Sequence, residues 1–228
     1  VDARPGEVLA VLGPNARGKT TMLKCLSGLV PPTEGAVDLT GHVGFVPQSH
    51  AVVFSFSVLD TVLMGRAHRI KFYGAPTRAD RDAAAAALAR VGITHLADRD
   101  YARLSGGERQ MVLIARALVS DCDTVVLDEP VSALDLRNQA RVLTLLRTLA
   151  DEGMAVVMTT HHPDHALHIA ERVVLLVDAD DQRVGPTREL LTDKVLSELY
   201  ELTITTADVQ TPGALRRLIV PDFGPGVS

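Results

Sequence analysis

The feature that most constrains this chain is a short β-branched run, Val8-Leu9-Ala10-Val11-Leu12, followed at once by Gly13-Pro14-Asn15-Ala16-Arg17-Gly18-Lys19-Thr20 and a helical stretch from Lys19 to about Leu29. Strand, glycine-rich turn and helix, in that order, are the context in which the pattern GxxxxGK[ST] has a physical meaning. Backbone N–H groups of such a loop point inward, and the following helix adds the positive end of its dipole, so the turn becomes a cradle for phosphate. Lys19 can reach the β and γ oxygens, and Thr20 can offer a hydroxyl to Mg²⁺. Phosphate contacts are expected along the whole run Gly13, Pro14, Asn15, Ala16, Arg17, Gly18, Lys19, Thr20 and Thr21.

A second apolar run, Thr124-Val125-Val126-Leu127, delivers Asp128 and Glu129 ahead of Pro130. Two adjacent carboxylates at the carboxyl end of a buried strand lie on the edge where open α/β sheets bind ligands. Asp128 is expected to hold Mg²⁺, and Glu129 to orient or deprotonate a water that attacks phosphorus. Without a phosphate loop upstream, the plainer reading would be a strand ending in a solvated acidic turn.

Between and after these motifs, Val43 to Val46, Val156 to Thr160 and Val173 to Val177 read as further strands. Val142, Leu145, Leu146 and Leu149 recur at helical spacing until Gly153. Strands alternating with helices predict an α/β fold with a mostly parallel sheet covered on both faces. The stretch from about Ser49 to Arg116 lacks this alternation; it contains the alanine run Ala83 to Ala87 and a stop at Gly92, and is expected to be an inserted helical subdomain. We place a nucleotide-binding domain over 1–202, and 203–228, rich in Pro, Gly and Thr, as a loosely packed tail.

Composition narrows the setting. Across 228 residues, 46% are hydrophobic and 22% charged, enough for a sizeable core. A net charge of −5 gives no electrostatic case for nucleic acid or an anionic membrane surface. Cys25 and Cys122 lack metal or disulfide spacing, which fits a reducing, cytoplasmic compartment. No run approaches the roughly 18 apolar residues that span a bilayer, so a role at a membrane must come through a partner.

Leu104-Ser105-Gly106-Gly107-Glu108-Arg109-Gln110 resembles the signature sequence of ATP-binding-cassette (ABC) ATPases. The resemblance runs from Pro5 to about Tyr200. It implies a P-loop NTPase core of the RecA-like kind carrying the helical subdomain, with ATP and Mg²⁺ as ligands. It also implies that Ser105, Gly106 and Gly107 close on the γ-phosphate held by a second copy, in a head-to-tail dimer sandwiching two ATP molecules. Locally, Ser105 and Glu108 also read as a capping box, which is compatible. Three further likenesses follow the family order. Gln48 resembles the glutamine that touches Mg²⁺ and water, Asp135 in Ser132-Ala133-Leu134-Asp135 the loop that communicates across the dimer, and His161 the histidine that contacts the γ-phosphate.

Within the family, Val58 to Arg66, Leu134 to Gln139 and Thr159 to Leu167 look like importers of iron chelates, haem, cobalamin and related metal oxyanion cargo. The implied partners are a polytopic permease on the inner face of the cell membrane and, indirectly, an extracytoplasmic substrate-binding protein, with no nucleic acid. Two alternatives stay open: a soluble ABC ATPase acting on ribosomes or DNA, and a catalytically weakened binding module. The family usually has glycine where Ala16 stands, and Ala16 at positive φ would carry about 1–3 kcal/mol of strain. It also stacks an aromatic residue on adenine from a strand ahead of the phosphate loop, whereas none of the twelve residues before Gly13 is aromatic. The chain is therefore expected to begin inside the fold, without the N-terminal antiparallel strands.

His161, His162, His165 and His168 share helical spacing but have no completing ligand set, so surface or switch histidines are expected. The basic run Arg66, His68, Arg69 and Lys71, followed by Phe72 and Tyr73, reads as a solvated rim or a face for the membrane partner.

Overall fold

Strands β1 (Val8–Leu12), β2 (Val43–Val46), β3 (Thr124–Leu127), β4 (Ala155–Thr160) and β5 (Arg172–Leu176) are built from β-branched and apolar residues whose alternation sorts side chains between two layers. Val8, Ala10 and Leu12 point into the larger core, while Leu9 and Val11 face the other side. The same division separates Val125 and Leu127 from Val126, and Val173 and Leu175 from Val174. In this computed structural model, which describes residues 1–48, 56–70, 74–178 and 181–224, the sheet runs β2, β3, β4, β1, β5, all parallel. An antiparallel edge strand, β6 (Gln182–Pro186), joins β5 through the turn where Val177 N–H donates to the Asp181 carbonyl.

Helix α1 (Lys19–Leu26) covers the smaller layer through Leu23, with Met22 and Leu26 beside it. It stops short of the expected Leu29 because Gly28, at φ 70°, turns the chain away behind Ser27. The larger layer is covered by α2 (Val58–Leu63), α3 (Arg78–Arg90), α4 (Gly106–Leu118) and α5 (Leu136–Asp151). Val62, Leu88 and Ile114 from the inserted helices share one core with Leu127 and Leu146, each such buried side chain stabilising the fold by roughly 1.5–3 kcal/mol. The insertion therefore has no core of its own, and α4 runs past Arg116 to Leu118; its start near Ser49 lies outside the described residues. Capping boxes open α3 (Thr77 with Asp80) and α4 (Ser105 with Glu108), and Gly92 and Gly153 at positive φ follow the ends of α3 and α5.

Two expectations are corrected. Residues 203–228 are not a loose tail over their described part. After α6 (Pro163–Ile169), α7 (Thr187–Leu190) and α8 (Asp193–Tyr200), β7 (Ile204–Gln210) and β8 (Leu215–Pro221) pair as an antiparallel hairpin. Thr206 donates through N–H and Oγ1 to Asp193 (2.9 and 2.6 Å), and the Ile219 N–H donates to Asp164 (3.1 Å), which ties the hairpin to α8 and α6. Pro212-Gly213 read as loop composition, whereas between Thr203–Val209 and Leu215–Val220 it is the turn of a hairpin. Arg66, placed in a solvated basic rim, is instead 9% exposed, with Nε on Asp80 (2.7 Å) and Nη1 on the Val119 carbonyl (3.2 Å). Lys71, Phe72 and Tyr73 lie outside the described residues. Among the described residues no helix is long and apolar enough to cross a membrane, and no group of three or more His, Cys, Asp or Glu side chains could hold a metal ion.

Candidate functional site

Parallel register brings the carboxyl ends of β2, β3, β4 and β1 to a single edge. Leu12 pairs with Thr160, Leu127 with Met158 and Val46 with Leu127, so the residues that follow each strand emerge side by side. Those residues are the loop from Gly13, Asp128-Glu129, His161, and Gln48.

The loop is held in a strained shape. Ala16 has φ 63° and Gly18 φ 83°, both in the left-handed region, so the condition under which Ala16 carries about 1–3 kcal/mol of strain holds. Gly13 is required by contact: a Cβ there would lie 2.7 Å from the Leu176 carbonyl oxygen. Lys19 is 6% exposed and its ammonium donates to the carbonyls of Gly13 (2.8 Å) and Pro14 (3.0 Å), bracing the loop from inside. Burial pushes its pKa down, opposed by the charges of Glu129 and Asp128. Arg17 turns outward to Asp178, 2.7 Å away.

A connected set of hydrogen bonds crosses the sheet edge. Thr20 donates to Asp128 Oδ2 (2.7 Å), while Thr159 donates to Asp128 Oδ1 (2.8 Å) and accepts from the Glu129 N–H (2.8 Å). Asp128 is thus 3% exposed with hydroxyls on both carboxylate oxygens. Glu129 sits at φ 45°, a strained conformation for a side-chain-bearing residue, and its Oε2 accepts from Gln48 Nε2 (2.9 Å) and lies 3.4 Å from His161 Nδ1. Strain at the residue beside the reacting position is a common mark of sites where backbone geometry is held for function.

The open cleft in front of this set is lined by Pro14, Asn15, Ala16, Gly18, Lys19, Thr20 and Thr21 from the loop, with Gln48, Glu129, His161 and Tyr200. It is lined by the Lys19 ammonium, a helix N-terminus and the Glu129 carboxylate, with Asp128 buried behind Thr20, an arrangement suited to a polyphosphate and a divalent cation. Ser105, Gly106, Gly107 and Asp135 do not line it. Gly106 instead lines a neighbouring hollow with Ser132, Ala133 and Leu134, which reaches Gln48 and Glu129 from the other side. Gly107 packs so closely on α5 that a Cβ would lie 2.4 Å from the Asn138 side chain, and Asp135 caps α5 by accepting from the Asn138 N–H (2.9 Å).

Sequence reading missed two residues here. Thr159 is a hydroxyl at 0% exposure inside an apolar strand, an anomaly visible in Val-Val-Met-Thr-Thr. Tyr200, which donates to the His161 carbonyl at 3.1 Å, had no local signal. Of the histidines, His165 is pushed down to about 4 by burial and is neutral at ordinary pH, with its Nδ1 3.2 Å from Thr160 Oγ1.

Comparison with known proteins places this geometry in a family. Residues 1–132 match the family model described as ABC transporter. The molybdate import ATP-binding protein of Haemophilus influenzae is 44% identical over 210 residues, covering 92% of this chain and 83% of that protein. A hemin import ATP-binding protein of Nocardia farcinica is 38% identical over 95% of this chain and 78% of that one. Among solved structures, an inward-facing metal-chelate type ABC transporter superposes with a TM-score of 0.94 at 42% identity, covering 98% of this chain and 89% of that chain. The dimeric structure of a bacterial ABC transporter cassette gives 0.70 at 29% identity, covering 82% and 88%. With its parallel sheet, phosphate loop and signature helix in this order, the chain belongs to the ABC transporter family of ATP-binding cassettes, whose members hydrolyse ATP to power transport.

Proposed function

We propose that this chain is the ATP-hydrolysing subunit of an importer for a metal-bearing cargo, working as a head-to-tail dimer beneath a polytopic permease. The observation that carries the proposal is the continuous hydrogen-bonded set from Thr20 through Asp128 and Thr159 to Glu129, flanked by Gln48 and His161. In this reading the loop N–H groups and Lys19 hold the phosphates, and Lys19 exchanges its two backbone carbonyls for phosphate oxygens. Glu129 takes a proton from the attacking water, while Gln48 and His161 fix its carboxylate, His161 also meeting the γ-phosphate.

The residues suit Mg²⁺. Asp128 is a buried carboxylate beside the Thr20 hydroxyl, with the Gln48 amide on the same edge, and such hard oxygen donors match a small divalent ion. Bound there by Thr20, Asp128 and Gln48, Mg²⁺ would neutralise phosphate charge as it develops.

The position of Ser105, Gly106 and Gly107 outside the chain's own phosphate cleft supports a site completed by a second copy. The molybdate and hemin relatives, and a cobalamin import relative from Halobacterium salinarum at 35% identity, support a metal chelate such as iron-siderophore, haem or cobalamin, or a metal oxyanion, as cargo. Cargo would arrive through an extracytoplasmic binding protein, with this chain on the cytoplasmic face. Glu129→Gln tests the catalytic assignment: ATP binding stays within about twofold while turnover falls by 10² to 10⁴. Turnover at the unmodified rate would remove Glu129 from the role of base.

A further inference from the structure

The arm that follows β4 and carries His161 is held from outside by the C-terminal segment. Asp164 accepts from the Ile219 N–H at 3.1 Å, and Arg216 Nη1 lies 3.4 Å from His168 Nδ1. Tyr200 makes a third connection, its hydroxyl donating to the His161 backbone carbonyl at 3.1 Å. Of these C-terminal residues, Tyr200 is the one that also lines the phosphate cleft.

Its own position is well determined. Tyr200 ends α8, which is anchored by buried Leu196 and Leu199 and opened by Thr192, whose hydroxyl accepts from the Val195 N–H. Past it, Glu201 at φ 53° turns the chain outward, and Ser197 bonds both the N–H and the carbonyl of Ile204 as β7 begins. Burial pushes the Tyr200 phenol well above its ordinary range, so the hydroxyl stays protonated and able to donate. On the other side, β4 is locked by its pairing with β1 up to Thr160. His161 is the first residue past that lock, and its ring nitrogen lies 3.4 Å from Glu129.

We propose that Tyr200 is a positioning residue for ATP hydrolysis, its hydroxyl fixing the His161 carbonyl and thereby the setting of the imidazole against Glu129 and the incoming phosphate. The proposal rests on the roles given above to His161 and Glu129. It makes the C-terminal helix and hairpin part of the hydrolytic machinery: a hydrogen bond spanning 39 residues of sequence ties the reacting edge to an element outside the sheet.

Tyr200→Phe keeps the ring and removes the hydroxyl, and is compared in the full chain with His161→Ala and the double variant. Tyr200→Phe is expected to lower kcat roughly tenfold, the scale on which small misplacements act, with ATP affinity within about twofold and the melting temperature little changed. The double variant is expected to turn over no more slowly than His161→Ala. Wild-type kcat in Tyr200→Phe beside a slow His161→Ala overturns this proposal and leaves the catalytic reading standing. So does a loss confined to KM, which would make Tyr200 a direct nucleotide contact. A further slowing of the His161→Ala background by the same factor overturns it too, because Tyr200 would then act elsewhere. Wild-type turnover in His161→Ala would instead remove the reading on which the proposal rests, and the proposal with it.

Discussion

The phosphate-loop edge and the amino end of α4 are both helix N-termini with glycines, yet they are finished in opposite ways. At the loop edge the backbone is strained, with Ala16 and Glu129 at positive φ, and polar groups from four strands converge on one cleft. At α4 the backbone is relaxed: Ser105 sits at φ −65° and ψ 162°, its hydroxyl and N–H satisfied by a capping box, with Ser105 and Gly106 exposed. A strained, convergent edge is organised around a ligand it binds itself. A relaxed, self-capped end that does not line its own phosphate cleft is free, in the dimer proposed above, to present its first-turn N–H groups to a phosphate held by another copy.

The largest effect expected from this contrast comes from breaking each side separately. Lys19→Ala should weaken ATP binding to a single copy roughly a hundredfold, as loss of a charged hydrogen-bonding group from a phosphate site would. Gly106→Val should leave that binding within about twofold while cutting turnover of concentrated protein by 10² or more. The first carbon of the new side chain meets Leu134 at an ordinary 3.6 Å. Nucleotide titration of the dilute chain beside turnover at high concentration decides the matter, and a Gly106→Val chain that no longer binds ATP alone would break the distinction.

A smaller effect separates the two signature glycines. Gly107→Ala drives a methyl to within 2.4 Å of Asn138 and should destabilise the chain by about 1–3 kcal/mol, partly recovered by Asn138→Ala. Denaturant unfolding reads this directly, and equal stability of the single variant and the parent would show that the α4–α5 contact relaxes freely. Smaller again is Ala16→Gly, which relieves the left-handed strain at φ 63° and should add about 1 kcal/mol to loop stability or ATP affinity. An unchanged affinity and melting temperature would mean that the bound loop abandons this conformation.

The smallest expected effect is on pH. The Ser105 N–H and hydroxyl hold Glu108 below its usual carboxylate range, and the Asn138 N–H and amide do the same to Asp135. For groups with lowered folded pKa, the stabilisation is complete above their ordinary value near 4 and fades as pH falls through the folded one. Acid should therefore loosen the α4 and α5 ends, and Glu108→Gln should flatten the fall in melting temperature below about pH 4. Lys19, lowered by burial, works in the other direction: its charged form is disfavoured by folding, and that cost fades as pH rises toward its ordinary value near 10. A Glu108→Gln profile superimposable on the parent would assign the acid sensitivity elsewhere.

How much of this could be read beforehand follows from how local each feature is. The loop from Gly13 to Thr20, the Ser105–Glu108 box and the strand before Asp128 are each defined within eight residues, and all three were legible. The burial of Arg66 depends on Asp80, 14 residues on, and on a carbonyl 53 residues away, so Arg66 was wrongly grouped with His68 and Arg69, which are exposed. The hairpin over 204–221 was hidden because Pro and Gly were weighed as composition, while the alternating Thr, Ile, Leu and Val on either side were not weighed as strands. Thr159 could have been noticed as a hydroxyl in an apolar strand, but its partners could not.

By itself, then, the sequence determined the chemical inventory and the local shapes: a phosphate loop between strand and helix, paired carboxylates at a strand end, a capped glycine pair opening a helix. The tertiary structure decided which of these share a space. Thr20 meets Asp128 across 108 residues and Gln48 meets Glu129 across 81, because parallel register sets the carboxyl ends of neighbouring strands side by side. It also left the amino end of α4 out of the phosphate cleft, in a neighbouring hollow. Periodicity and capping are short-range and can be read along a chain, whereas convergence depends on strand order and register, which are settled only when the two layers of side chains pack together.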